Sequence, residues 1–157
     1  MDYAQGSLGR VFAARLHDGE PVYQAIEDLA DREGIESAAV FLTGGAARAR
    51  IVAGPKMTDG PLEPIVREFD DAREMIGLGT LHRDDEGPKL HLHAGFGRED
   101  TALVGCPRIE LEAFLVLEVF IIKVNGLEAE RALEPESGLK LLKFAAPTVL
   151  DYGPDAS

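Results

Sequence analysis

Cysteine occurs once in this chain of 157 residues, as Cys106, so no internal disulfide ties the fold together. A lone thiol suits a reducing compartment, and a cytoplasmic protein is expected. No apolar segment approaches the roughly twenty residues that cross a bilayer. The longest, Phe114 to Val124, is broken by Glu118 and Lys123, and the first seventeen residues hold no apolar run fit for a signal peptide. No membrane partner is expected. Basic residues are also scarce, with 16 Lys and Arg against 28 Asp and Glu and a formal charge of −12. Nonspecific nucleic-acid affinity comes from neutralising phosphates, so this charge disfavours direct binding. The nearest basic cluster, Arg48, Arg50 and Lys56, reads as a solvated face. Repeats, a phosphate-cradling loop and a nucleophile motif are absent.

What is present fits one domain, because 45% apolar content over this length can bury a real core. Gly9 to Leu16 has the pattern of a first strand. His17 to Pro21 is a turn that feeds a helix, with Pro21 suited to the first helical turn and acidic residues suited to the positive end of the dipole. Val22, Ala25, Ile26, Leu29 and Ala30 line one helical face, and Gly34 fits the position just past the end.

Strand punctuation follows. Ile35 to Thr43 and Ala46 to Ala53 flank Gly44-Gly45, which predicts a bulge, a bend or a close backbone approach. Gly54 to Pro64 reads as a loop. Ile65 to Phe69 and Met75 to Leu81 read as a pair of strands joined around Asp70-Asp71, and Asp84 to Pro88 as an acidic turn. A last long strand runs from about Leu111 to Val124, and Gly153 to Ser157 reads as a disordered tail. One early helix packed on a mostly antiparallel sheet is an α+β fold spanning residues 1–157, with its core at about 10–145. The last strand carries Leu115, Leu117, Val119 and Ile121 on one side and Phe114, Val116, Phe120 and Ile122 on the other. A strand apolar on both faces must be covered twice, so self-association is expected.

The chemistry concentrates between Lys89 and Pro107, which hold two of the four histidines and the only cysteine. Residues i and i+2 of a strand share a face, so His91 and His93 project together, away from Leu90, Leu92 and Ala94. Arg98 to Thr101 makes a polar turn. A hairpin folded about the Glu99–Asp100 bond sets residue 106 opposite residue 93, placing Cys106 beside His93 and diagonal to His91. Two imidazoles and a thiol suit Zn²⁺ or another divalent transition metal, with a fourth position left for water, substrate or a further residue. The alternative is two solvent-facing histidines and a small buried hydrophobe.

Five short motifs occur in order over residues 10 to 125: Arg15-Leu-His-Asp-Gly-Glu20, Thr43-Gly-Gly-Ala46, His91-Leu-His93, Val104-Gly-Cys106 and Leu117-Glu-Val-Phe-Ile121. Together they resemble the plants and prokaryotes conserved (PPC) domain. The resemblance implies a homotrimer. It also brings a DNA-binding description that descends from plant relatives carrying a separate AT-hook, whose Arg-Gly-Arg-Pro core is missing here. The fold is similar to that of acetolactate decarboxylase, where a His-x-His pair and a later histidine hold zinc. By that resemblance His91 and His93 match the pair and Cys106 takes the place of the third histidine. Val104 replaces a glycine of the Gly-Gly-His corner, and the loop is one residue shorter. Thiolate is a competent zinc ligand that donates more charge than imidazole, which makes bound water less acidic.

Glu118 is the remaining candidate, as a carboxylate among aliphatics that needs a partner. It reads as an acceptor for a histidine N–H or a general base with a raised pKa, or else as a strand-edge residue facing solvent or Arg15. The expected function is a trimeric PPC-domain protein with a zinc-type site that binds or transforms a small molecule. The alternative is a DNA-binding or regulatory protein acting directly or through a partner.

Overall fold

The computed structural model describes residues 1–59 and 62–149. In chain order the elements are β1 (Asp2–Tyr3), β2 (Ser7–His17), α1 (Val22–Arg32), β3 (Ser37–Pro55), β4 (Pro64–Phe69) and β5 (Arg73–Asp84). They continue with β6 (Gly87–Arg98), β7 (Thr101–Asn125), β8 (Ala129–Glu134), β9 (Leu139–Phe144) and β10 (Thr148–Val149). The expected tail, Gly153 to Ser157, lies outside the described residues.

The helix forms where its apolar spacing predicts, burying Val22, Ile26 and Ala30. Gly34 takes φ 61°, and its N–H and that of Ile35 reach back to the Asp31 and Ala30 carbonyls. These two bonds close the helix end, and the left-handed conformation they need is open to glycine at little cost. Pro21 sits one step earlier than expected, at the N-cap. No acidic side chain lies in the first turn; Glu20 instead accepts from the His17 N–H at 2.7 Å, so it closes the preceding turn.

The strands are almost all antiparallel, with one parallel bridge between Arg83 and Glu130. β3 pairs with β7, β7 with β6, β6 with β5, and β5 with β3, so four strands close on themselves. Their inner side chains, with the helix, make one core that includes Val40, Leu42, Met75, Leu92, Phe96 and Leu117. Two strand expectations change. β4 and β5 do not pair with each other across Asp70-Asp71; both lie along β3, β4 against Ala49–Pro55 and β5 against Ser37–Ala46. Gly44-Gly45 is the close approach and bulge that its sequence implies, inside a continuous β3: Gly44 passes so near β7 that a Cβ would collide with the Val116 carbonyl oxygen. The strand expected from Leu111 is the second part of one long β7 that begins at Thr101.

β7 is interrupted by a bulge. Gly44 pairs with Leu117 and Gly45 with Phe114, which leaves Leu115 and Val116 unpaired on β3, with Leu115 at φ 58°. The bulge changes which residues face inward: Leu117, Val119 and Ile121 are buried as expected, but Leu115 is exposed.

Candidate metal centre

β6 carries the histidines because it alternates strictly. Leu90, Leu92, Ala94 and Phe96 face the core, while His91 and His93 face out. The helix fastens this stretch from the inner side, where Glu27 accepts from the Leu90 N–H at 2.9 Å. The two imidazoles meet edge to face with ring centroids 5.0 Å apart.

The β6–β7 turn is the two-residue Glu99–Asp100 hairpin, and the ladder runs from Arg98↔Thr101 to Ala94↔Gly105 in the register expected from that turn. One step further the strands part. Cys106 pairs with Val52 of β3 and not with His93. Gly105 permits this exchange, because a Cβ there would lie 2.5 Å from the Val52 carbonyl oxygen. The thiol is still brought to the histidines: one ligand atom from each of His91, His93 and Cys106 lies within 4.8 Å of the others. Tetrahedral zinc, with bonds of about 2.0–2.3 Å, needs such atoms roughly 3.5 Å apart, a difference within reach of side-chain rotation.

The surroundings favour the ligating form of His91. Burial lowers the pKa of His91 to about 4, helped by Arg131, His93 and Arg108, so its ring is neutral and a nitrogen lone pair is available. Cys106 is 1% exposed. Beside it the Tyr23 hydroxyl is buried without a hydrogen-bond partner. Its pKa is raised, first by burial and then by Cys106. A neutral thiol satisfies this O–H poorly, whereas a metal-bound thiolate is a good acceptor for it. Arg131 completes the set. It donates to Thr80, the cross-strand partner of His91, at 3.0 Å, while its Nε is buried without a partner. The donor set and the orphaned phenol fit a divalent ion held with a thiolate, and the Arg131 charge suits the thiolate.

A cleft of about 450 Å³ opens beside the ligands, lined by His93, Cys106 and Arg108 and by apolar residues including Val52, Leu62 and Ile109. Glu118 lies elsewhere. It is exposed in the cross-strand row Arg15, Glu118, Thr43, Ile76, Gly95, three strands away from β6, and no hydrogen bond joins it to either histidine. Tyr23, Arg108 and Arg131 were missed in the sequence. Arg108 had a local signal, standing two residues beyond Cys106 on the same strand, whereas Tyr23 and Arg131 arrive from elements distant in sequence.

The basic cluster is neutralised by the chain itself: Arg48 pairs with Glu110 and Glu112, Arg50 with Glu68, and Lys56 with Glu63. No helix among the described residues is long and apolar enough to cross a membrane.

The Plants and Prokaryotes Conserved (PCC) domain model matches residues 3–125. The chain belongs to this family. A PPC protein of Pyrococcus horikoshii is 25% identical, with a TM-score of 0.77 over 91% of this chain and 97% of that one. A metal-containing protein of Archaeoglobus fulgidus superposes with a TM-score of 0.79 at 24% identity, over 90% of this chain and 98% of that one. A protein of Ralstonia eutropha described as a candidate DNA-binding protein gives 0.71 at 20% identity, over 84% and 90%. No curated protein matches the sequence. The PCC match and the register of β6 and β7 concern the same stretch of chain, so the histidine pair sits within the family domain.

Proposed function

We propose that this PCC-domain chain binds a zinc-type divalent ion through His91, His93 and Cys106 and acts on, or binds, small molecules in the adjoining cleft. The observation that carries the reading is the convergence of the three ligand atoms within 4.8 Å beside a buried hydroxyl that lacks an acceptor. A relative of the same fold is described as metal-containing, which agrees with it. A bound ion supplies Lewis acidity towards a carbonyl or similar oxygen. The chain's own residues supply the rest. Tyr23 donates to the thiolate and holds it in place, the apolar wall excludes water, and Arg108 faces the cleft as a fixed positive charge.

Self-association belongs to the same reading. Phe120, Phe41 and Leu78 form one cross-strand row that ends at His93, and these three are 46%, 42% and 61% exposed. Such a stripe favours cover by further copies, and a homotrimer in the cytoplasm is the assembly we propose. DNA association is the second reading, favoured by the description of other relatives. The charge of −12 and the paired arginines weigh against direct contact.

Elemental analysis of protein purified without chelator or nickel tests the metal. Near-stoichiometric zinc or a related ion is expected, and its loss in Cys106→Ser. Metal-free protein with all three ligands intact sinks the reading. Light scattering checks the trimer, and duplex DNA retardation at low salt checks the second reading.

A further inference from the structure

The chain carries 28 acidic residues, yet none of those described lines the cleft beside His93 and Cys106. The contrast with a neighbouring depression is instructive: there Arg48 and Arg50 are met by Glu68, Asp70 and Glu110. Arg108, by comparison, has no hydrogen bond or ion pair among the described residues, and its cleft offers apolar walls from Val52, Pro55, Leu62, Ile109 and Leu139. Arg15 and Arg32 also lack an ion pair, but Arg108 alone of the three lines this cleft, and an unpaired guanidinium at the rim of an apolar cleft points to an anion that comes from outside.

We propose that the cleft takes a small monocarboxylate with an apolar chain, its head on the Arg108 guanidinium and its body against the apolar wall. The proposal rests on the metal-site reading and adds the class of ligand to it. The guanidinium fork matches a carboxylate with two parallel hydrogen bonds. A cleft of about 450 Å³ is of a size that encloses a small organic molecule. Inorganic phosphate suits it poorly, because one arginine faces apolar side chains and among the described residues no glycine-rich loop offers backbone N–H groups. Arg108 lies two residues beyond Cys106 on β7, so the strand that delivers the thiol to the metal also delivers the cation to the ligand head.

The test is calorimetric titration of hexanoate, 1-hexanol and inorganic phosphate into zinc-loaded protein, repeated on protein stripped of metal. Hexanoate is expected to bind at least about tenfold more tightly than hexanol. Phosphate is expected to give no measurable heat. Arg108→Leu should erase the preference for hexanoate while zinc content stays unchanged, and Arg108→Lys should restore part of it. Equal binding of hexanoate and hexanol, a preference that survives in Arg108→Leu, or phosphate binding more tightly than hexanoate overturns the proposal. Failure of the metal reading looks different: zinc does not bind, while an Arg108-dependent preference for hexanoate persists in the metal-free protein.

Discussion

The two halves of β7 pair differently. Beyond the bulge, from Leu117 to Ile122, the strand pairs regularly on both sides, with β2 and with β3, and buries Leu117, Val119 and Ile121 completely. Before the bulge, from Thr101 to Phe114, it changes partner from β6 to β3 and shifts register twice against β3. The regular half holds the core, and the irregular half holds Cys106 and Arg108. Departing from the ladder aims these side chains at the histidines and the cleft, and the regular half keeps the departure in one place.

Variants can break this division of labour. The largest expected effect is at Gly44, which crosses β7 at the bulge with φ 145°. Gly44→Val adds a side chain where there is no room and no allowed conformation, and should cost about 3 kcal/mol in a urea titration. A loss below about 1 kcal/mol would mean that the bulge is not the rigid joint between the halves.

A smaller effect is expected from acid. His82 is buried on β5, opposite Ser37 of β3, with its Nδ1 3.1 Å from the Ser37 hydroxyl. Burial first and Arg131 second lower its pKa from 6.5 to about 4. The unfolded chain therefore binds a proton across that window while the folded chain does not, so stability falls as pH drops from 6.5 towards 4. Denaturation midpoints over this range should fall less steeply in His82→Gln, and an unchanged slope would discard this assignment.

The smallest effect, Tyr23→Phe, sharpens the comparison most. Removing a buried hydroxyl that lacks a partner should leave metal-free protein as stable as before, or more stable by about 1 kcal/mol. Zinc affinity should weaken about tenfold, because the thiolate loses its donor. Competition with a chromophoric chelator measures the second quantity, and equal affinity would remove Tyr23 from the site.

What could be read from the sequence was local. Helix α1, its glycine stop and the Glu99–Asp100 turn each depend on a few adjacent residues, and the turn set the register that brings Cys106 near the histidines. What could not be read depends on partners far along the chain. The bulge at Leu115 leaves no mark in composition, because leucine rarely adopts a positive φ, so the apolar alternation ran straight across it. The pairing of β4 and β5 is decided by the length of β3, and the β8–β9 hairpin, which supplies Arg131, has exposed, mixed side chains that gave no strand signal. For Glu118 the unusual feature was real but its address was not legible, since a residue's face follows from alternation whereas its distance across the sheet follows from strand order.

The alternation of β6 and β7 also imposes a parity rule on the site. One residue added within either strand between His93 and Cys106 would present the thiol to the opposite side of the sheet, while residues added in the turn itself would lengthen the loop and keep the thiol in place. Length changes that preserve the ligand cluster should therefore fall in the turn, and a solitary insertion or deletion within a strand would need a compensating bulge where β7 passes from β6 to β3.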